Sequence, residues 1–274
     1  MAKYGENMAE IEETLQWYIF GGVDEICAEE PFNALQRTEE QVVKTKPDNA
    51  NNVVAPVSLE TQRPATTLLA QNNSGACSNA REICASAKSL TELRDLMEKF
   101  EGCSLKFSAN STVFGYGSVT ARVMLIGEAP GADEDMQGKP FVGRSGQLLT
   151  KMLAAIGLKR EECYITNVLP WRPPGNRTPT DGEVAVCLPF LQRQIELIKP
   201  ECIFLLGGSA ANAVLNNAES ISHLRGHFID YTTAEGLVIP TLSSFHPAFL
   251  LRSPQQKAKA WCDLLRLQRK LAKS

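Results

Sequence analysis

The sequence contains no CxxC pair, although eight cysteines are spread along its 274 residues. The strongest sequence sign of a metal or dithiol redox site is therefore missing. Nor is there an apolar run approaching the roughly eighteen residues of a membrane span. The opening stretch MAKYGENMAEIEE is too acidic for a signal or transit peptide. These absences point to a cytoplasmic location away from the membrane, where a disulfide framework is not expected. Aromatic residues are scarce at 7%, and histidine occurs only as His223, His227 and His246. No large charge excess is present either. Residues 1–90 carry 7 Lys+Arg against 13 Asp+Glu, and residues 91–274 carry 21 against 18. A mildly cationic body permits nucleic-acid binding without requiring it.

What is present falls into three parts. Residues 1–43 hold a helical pattern, with Ile11, Leu15, Tyr18 and Ile19 spaced along one face after an acidic start. This accessory segment either docks a protein partner or packs back on the body. Residues 44–87 are rich in Pro, Asn, Thr and Ser without periodicity, and read as a flexible linker. Residues 88–274 read as one globular domain. Apolar runs at Val123–Ile126, Tyr164–Leu169, Ile203–Leu206 and Leu237–Leu242 have the length of buried strands. Helical patterns separate them, one opened by the capping-box pair Thr180 and Glu183. Another starts at Ser253-Pro254 and presents Trp261, Leu264, Leu265, Leu267 and Leu271 on one face. Strands alternating with helices give an α/β fold with a parallel sheet covered on both sides.

Such sheets bind ligands at the carboxyl ends of their strands. The first strand ends in Gly127-Glu128-Ala129-Pro130-Gly131, the second contains Asn167, and the fourth runs into Phe245-His246-Pro247. Phe141 reaches the same edge from the first loop. Each residue alone has a plain structural role: turn glycines, a capping asparagine, a surface histidine, a core phenylalanine. Together they suit the reading and expulsion of a planar base. A ring stacks, an amide offers a donor and an acceptor, a histidine donates to a leaving group, and a carboxylate stabilises a cationic sugar. A phosphate loop is disfavoured, because Gly127–Gly131 lacks the lysine of that motif and three carboxylates follow it.

Five ordered motifs, GEAPGADED (127–135), GKPFVGRSG (138–146), ITNV (165–168), RPPGNR (172–177) and His246-Pro247 with Leu250-Leu251-Arg252, resemble the family-4 uracil-DNA glycosylases. The resemblance runs from about Phe100 to Leu271. It implies a three-layer α/β/α sandwich with a central parallel sheet of four strands, and a base excision repair enzyme that removes uracil after flipping it out of DNA. It further implies that Phe141 stacks on uracil and Asn167 reads its edge, with Gly127 and Ala129 lining the pocket. His246 would stabilise the departing anion and Glu128 the water-attack side, with Glu134 a second acidic candidate. Pro247–Arg252 would enter the DNA groove, Leu250 or Leu251 filling the vacated space and Arg252 lying near phosphate. Free turnover by a monomer is expected. Two alternatives remain: a glycosylase with broader deaminated-base specificity, and a DNA-binding relative without activity.

The family also implies a 4Fe–4S cluster on four cysteines, and here the sequence departs from it. Cys103 and Cys187 occupy two of the four positions, while Phe100 and Trp171 stand at the other two. Two thiolates do not hold a cubane cluster. Cys77 and Cys84 fall in the linker and are not expected to substitute. The chain therefore reads as a cluster-free variant, with no cofactor.

Overall fold

The computed structural model describes residues 65–272; the helical pattern at residues 8–20, and all of 1–64, lie outside them. Six strands form one sheet: β1 (Tyr116–Gly117), β2 (Val123–Gly127), β3 (Tyr164–Asn167), β4 (Cys202–Leu206), β5 (Phe228–Thr232) and β6 (Val238–Ser244). Their order is β1-β3-β2-β4-β6-β5. The four inner strands are parallel, and β1 and β5 pair antiparallel at the two edges. The expected four-stranded parallel sheet is thus the centre of a six-stranded mixed one. The edge strands escape a search for apolar runs for physical reasons. Strand β1 is two residues of a glycine-rich turn, and β5 alternates exposed with half-buried positions because it has one wet side.

Inner strands β2 and β4 are buried along their whole length, which is why they read as unbroken apolar runs. Successive side chains point to opposite faces. Met124 and Ile126 of β2 enter one core with Ile203 and Leu205, and Val123 and Leu125 enter the other with Phe204 and Leu206. The first core is covered by helices α1 (Ala65–Ser86), α2 (Leu90–Lys99), α6 (Asp181–Ile198) and α7 (Gly208–Leu215); the second by α5 (Arg144–Ala155) and α10 (Lys257–Leu271). A helical layer on each face makes the three-layer sandwich. Helix α6 begins with the anticipated box: Thr180 Oγ1 accepts from Glu183 N, and Glu183 Oε2 accepts from Thr180 N at 2.8 Å. Such caps contribute about 1 kcal/mol.

The linker reading of residues 44–87 fails from Ala65 onward, where α1 begins. Local propensity there is weak, so packing decides. Ala80 and Cys84 are buried against the body, at 0% and 3% exposure. A second contact has a specific cause. Pro189 sits inside α6 and has no N–H to give the Ala185 carbonyl one turn back. The Cys77 thiol of α1 donates to that carbonyl at 3.3 Å. Two further expectations change at the C-terminus. A 3₁₀ turn, Pro254–Gln256, precedes α10, and Ser253 makes no side-chain cap. Trp261 is 41% exposed rather than part of the apolar face.

Candidate active site

The carboxyl ends of β2, β3 and β6 open into a cavity of about 410 Å³, lined among others by Glu128, Ala129, Phe141, Asn167, His246 and Arg252. Parallel register produces this convergence directly, since Gly127 and Asn167 are paired residues of β2 and β3. Gly127 does not itself line the cavity, contrary to expectation, but packs against two of the groups that do. A Cβ there would lie 2.5 Å from Asn167 Oδ1 and 2.6 Å from Phe141 Cζ, so the absent side chain is the space those two groups occupy. Among the described residues, none hydrogen-bonds to the side chains of Asn167 or Glu128, so both keep their full capacity for a ligand.

Phe141 adopts φ +53°, a left-handed conformation that is an outlier for a bulky residue. It persists because its surroundings fix it. Glu134 is buried at the start of the short helix α4 (Ala132–Gln137), which follows the one-turn α3 (Leu105–Ser108). Its Oε1 accepts from Val142 N at 2.9 Å and Gly143 N at 3.0 Å, and its Oε2 from Gly131 N at 3.1 Å. A Cβ on Gly146 would fall 1.8 Å from the Phe141 carbonyl oxygen, so only glycine permits that turn to close. The neighbouring Asp135, also buried, accepts from Asn110 N and Nδ2 and from Ser111 N, tying the loop to the segment before β1. Two of the three loop carboxylates are thus structural clamps, and Asp133 stays exposed. The sequence signal for this was available in the glycines at 143 and 146, which mark a backbone too crowded for side chains.

His246 is the N-cap of α9 (Pro247–Arg252), after the short α8 (Ile221–Leu224), and its Nδ1 accepts from Ala248 N at 3.1 Å. A nitrogen that accepts carries no proton, so the neutral ring holds its proton on Nε2. Burial pushes the pKa of His246 down to about 4, the charge of Arg252 acts in the same direction, and Glu134 opposes both. The imidazole is therefore neutral at pH 7. Its ring lies 5.6 Å from that of Phe141, tilted by 31°. Behind it, the wholly buried Asp263 of α10 accepts from Ser244 Oγ at 2.7 Å and from Arg225 Nη2 at 2.6 Å, fixing the strand end that leads into His246.

The segment expected to face DNA, Pro247–Arg252, is sorted by burial. Pro247 is buried at the first position of α9, where its missing N–H costs nothing. Leu250 is 1% exposed and belongs to the second core, so it is not free to fill a gap in DNA; Leu251 is 38% exposed. Arg252 is exposed at the cavity mouth. Across the rim, Arg177 pairs with Glu183 through two contacts of 2.6 and 2.9 Å, which hold the Glu183 carboxyl at about 2.

The four positions that the resemblance implies for cluster ligands, residues 100, 103, 171 and 187, lie within the first core. Cys187 Sγ donates to Cys103 Sγ at 3.9 Å, leaving no room between the sulfurs for a cubane. Phe100 packs edge-on against Phe190 with centroids 5.2 Å apart. Trp171 is 1% exposed, and its Nε1 donates to Thr112 Oγ1 at 3.0 Å. Among the described residues, no three His, Cys, Asp or Glu converge to hold a metal ion.

A three-layer α/β/α fold with a cavity at the ends of its parallel strands defines the class, and sequence comparison agrees. Residues 114–265 match the family described as the uracil DNA glycosylase superfamily, and the chain belongs to it. Over 158 residues it is 44% identical to a type-4 uracil-DNA glycosylase of Thermotoga maritima, covering 57% of this chain and 80% of that one. It is 41% identical over 169 residues to a type-4 uracil-DNA glycosylase of Archaeoglobus fulgidus, covering 60% and 84%. A third, from Pyrobaculum aerophilum, is 39% identical over 179 residues, covering 64% and 91%. These relatives place it in the type-4 family.

Proposed function

We propose that the cavity holds a uracil nucleotide turned out of DNA, and that Phe141, Asn167, His246 and Glu128 divide the work of breaking its N-glycosidic bond. The activity itself, excision of uracil by an N-glycosyl hydrolase of DNA repair, follows from the family. Phe141 stacks on the base. The unengaged Asn167 amide accepts from uracil N3–H and donates to a ring carbonyl; an unmatched edge would leave a buried polar group unpaired, at a cost of about 1–3 kcal/mol. As the C1′–N1 bond breaks, the electron pair passes into the base, and His246 Nε2–H donates to the base carbonyl oxygen where negative charge develops. The neutral ring suits this role, because it hydrogen-bonds to the anion without being consumed as an acid. Glu128 stabilises the cationic sugar and orients the water whose oxygen bonds to C1′. Leu251 enters the vacated stack, and Arg252 lies against phosphate.

The observation that carries this reading is the free Asn167 amide, which lines one cavity with the stacking ring and a histidine whose donor nitrogen is fixed. DNA with one uracil, treated with the protein in EDTA and then with alkali, should break at uracil alone. Intact strands with retained DNA binding would reject the assignment. A panel of duplexes carrying other deaminated bases separates strict from broad specificity.

The donor set at residues 100, 103, 171 and 187 does not fit an iron–sulfur cluster. Two apolar rings replace two ligands, and the remaining sulfurs touch. Cys77 is engaged with the Ala185 carbonyl, and burial pushes the Cys84 thiol up to about 12. No catalytic step is routed through such a group. We infer a cofactor-free protein, acting as a monomer in the cytoplasm. A brown preparation with stoichiometric iron and acid-labile sulfide would overturn the cofactor reading.

A further inference from the structure

The left-handed Phe141 is defined by two peptide planes, and a different residue holds each. The plane after it is fixed by Glu134, which accepts from Val142 N, and by Gly146 beneath the Phe141 carbonyl. The plane before it carries the Pro140 carbonyl, and Arg160 Nη2 donates to that oxygen. Arg160 comes from the 3₁₀ turn Arg160–Glu162 that leads into β3, twenty residues further along the chain. It is anchored in turn. Its guanidinium lies 5.7 Å over the Tyr116 ring of edge strand β1, and its Nη1 approaches Thr150 Oγ1 of α5 at 3.5 Å. The side chain is half-buried rather than extended into solvent. Rotation about the Phe141 N–Cα bond would swing the Pro140 carbonyl away from this donor.

We propose that Arg160 is a positioning residue for uracil excision: by holding the Pro140 carbonyl it keeps Phe141 in its strained conformation, with the ring set against the base. This rests on the reading of Phe141 as the stacking ring. Loss of the contact lets the loop relax toward an ordinary φ, releasing strain of a size that corresponds to a fall of about tenfold to a hundredfold in rate.

The test is a double-mutant cycle in the full-length protein, with Arg160→Ala, Phe141→Ala and both, measured by single-turnover excision. Arg160→Ala is expected to lower the excision rate by about tenfold or more while leaving KM for DNA little changed, and to weaken inhibition by free uracil. In the Phe141→Ala background the same change should cost less than about threefold, because it acts through the missing ring. Arg160→Lys, which keeps one donor, should recover part of the rate; it takes the place of Arg160→Ala in the cycle if that variant is unfolded by circular dichroism. A phosphate contact would behave differently. It would reduce the salt slope of binding to uracil-free DNA by about one and add fully to Phe141→Ala. That result, or an Arg160→Ala protein as fast as wild type, overturns the proposal alone. If Phe141→Ala itself excises uracil at the wild-type rate, the stacking assignment falls and takes the Arg160 role with it.

Discussion

Gly127→Ala is a single-methyl perturbation whose consequence follows from distances. The backbone at Gly127 lies outside the left-handed region, so alanine is conformationally permitted. In a buried strand it would be favoured over glycine by about 0.5–1 kcal/mol from chain entropy. The added carbon meets Asn167 Oδ1 at 2.5 Å and Phe141 Cζ at 2.6 Å. Ordinary contact begins near 3.4 Å, so each group must retreat by nearly 1 Å. Phe141 has little freedom to do so, because its backbone is pinned at φ +53° between Glu134 and Gly146. A misplacement of about 1 Å at a reacting centre costs on the order of a hundredfold in rate. Single-turnover excision from a uracil duplex should therefore fall by about that factor. The melting temperature and affinity for undamaged DNA should stay close to wild type. A variant within about threefold of wild type would refute the claim that these two groups touch the base.

The pH profile of excision should show its acid limb near pH 4 rather than 6.5, because His246 is held neutral by burial. The folded pKa lies below the unfolded value, so the unfolded chain binds the extra proton; stability from this group is complete above about pH 6.5 and is lost as pH falls toward 4. An acid limb near 6.5 would contradict the burial that keeps His246 neutral. Adjacent leucines should separate cleanly: Leu250→Ala should destabilise the fold by roughly 2–5 kcal/mol. Leu251→Ala should leave the melting temperature nearly unchanged and slow excision from duplex DNA; equal stability losses in chemical denaturation would refute the split. Removal of residues 1–61 should leave excision intact, whereas removal of 1–87 strips α1 from the body and should lower stability measurably. Indifference of the melting curve to the second deletion would show that α1 contributes nothing.

The parts of the fold set by local pattern were legible in the chain itself. The inner parallel strands announce themselves because burial on both faces demands unbroken apolar runs, and the Thr180–Glu183 box because capping is a three-residue interaction. The convergence of Gly127, Asn167 and His246 was legible for a related reason: strand ends of a parallel sheet share one edge, so these three residues had to meet near it. Tertiary structure decided the rest. Helix α1 exists against its own composition because Ala80 and Cys84 find a core and Cys77 finds the carbonyl freed by Pro189. The leucines at 250 and 251 look alike in sequence, and only their opposite directions on α9 assign one to the core. Glu134 and Arg160 act on Phe141 through backbone groups eight and twenty residues away, contacts that leave no periodic trace. Sequence determines which chemistry is available along a strand or a helix face. Which groups are fixed, strained or left free depends on contacts between elements, and those exist only once the chain has closed.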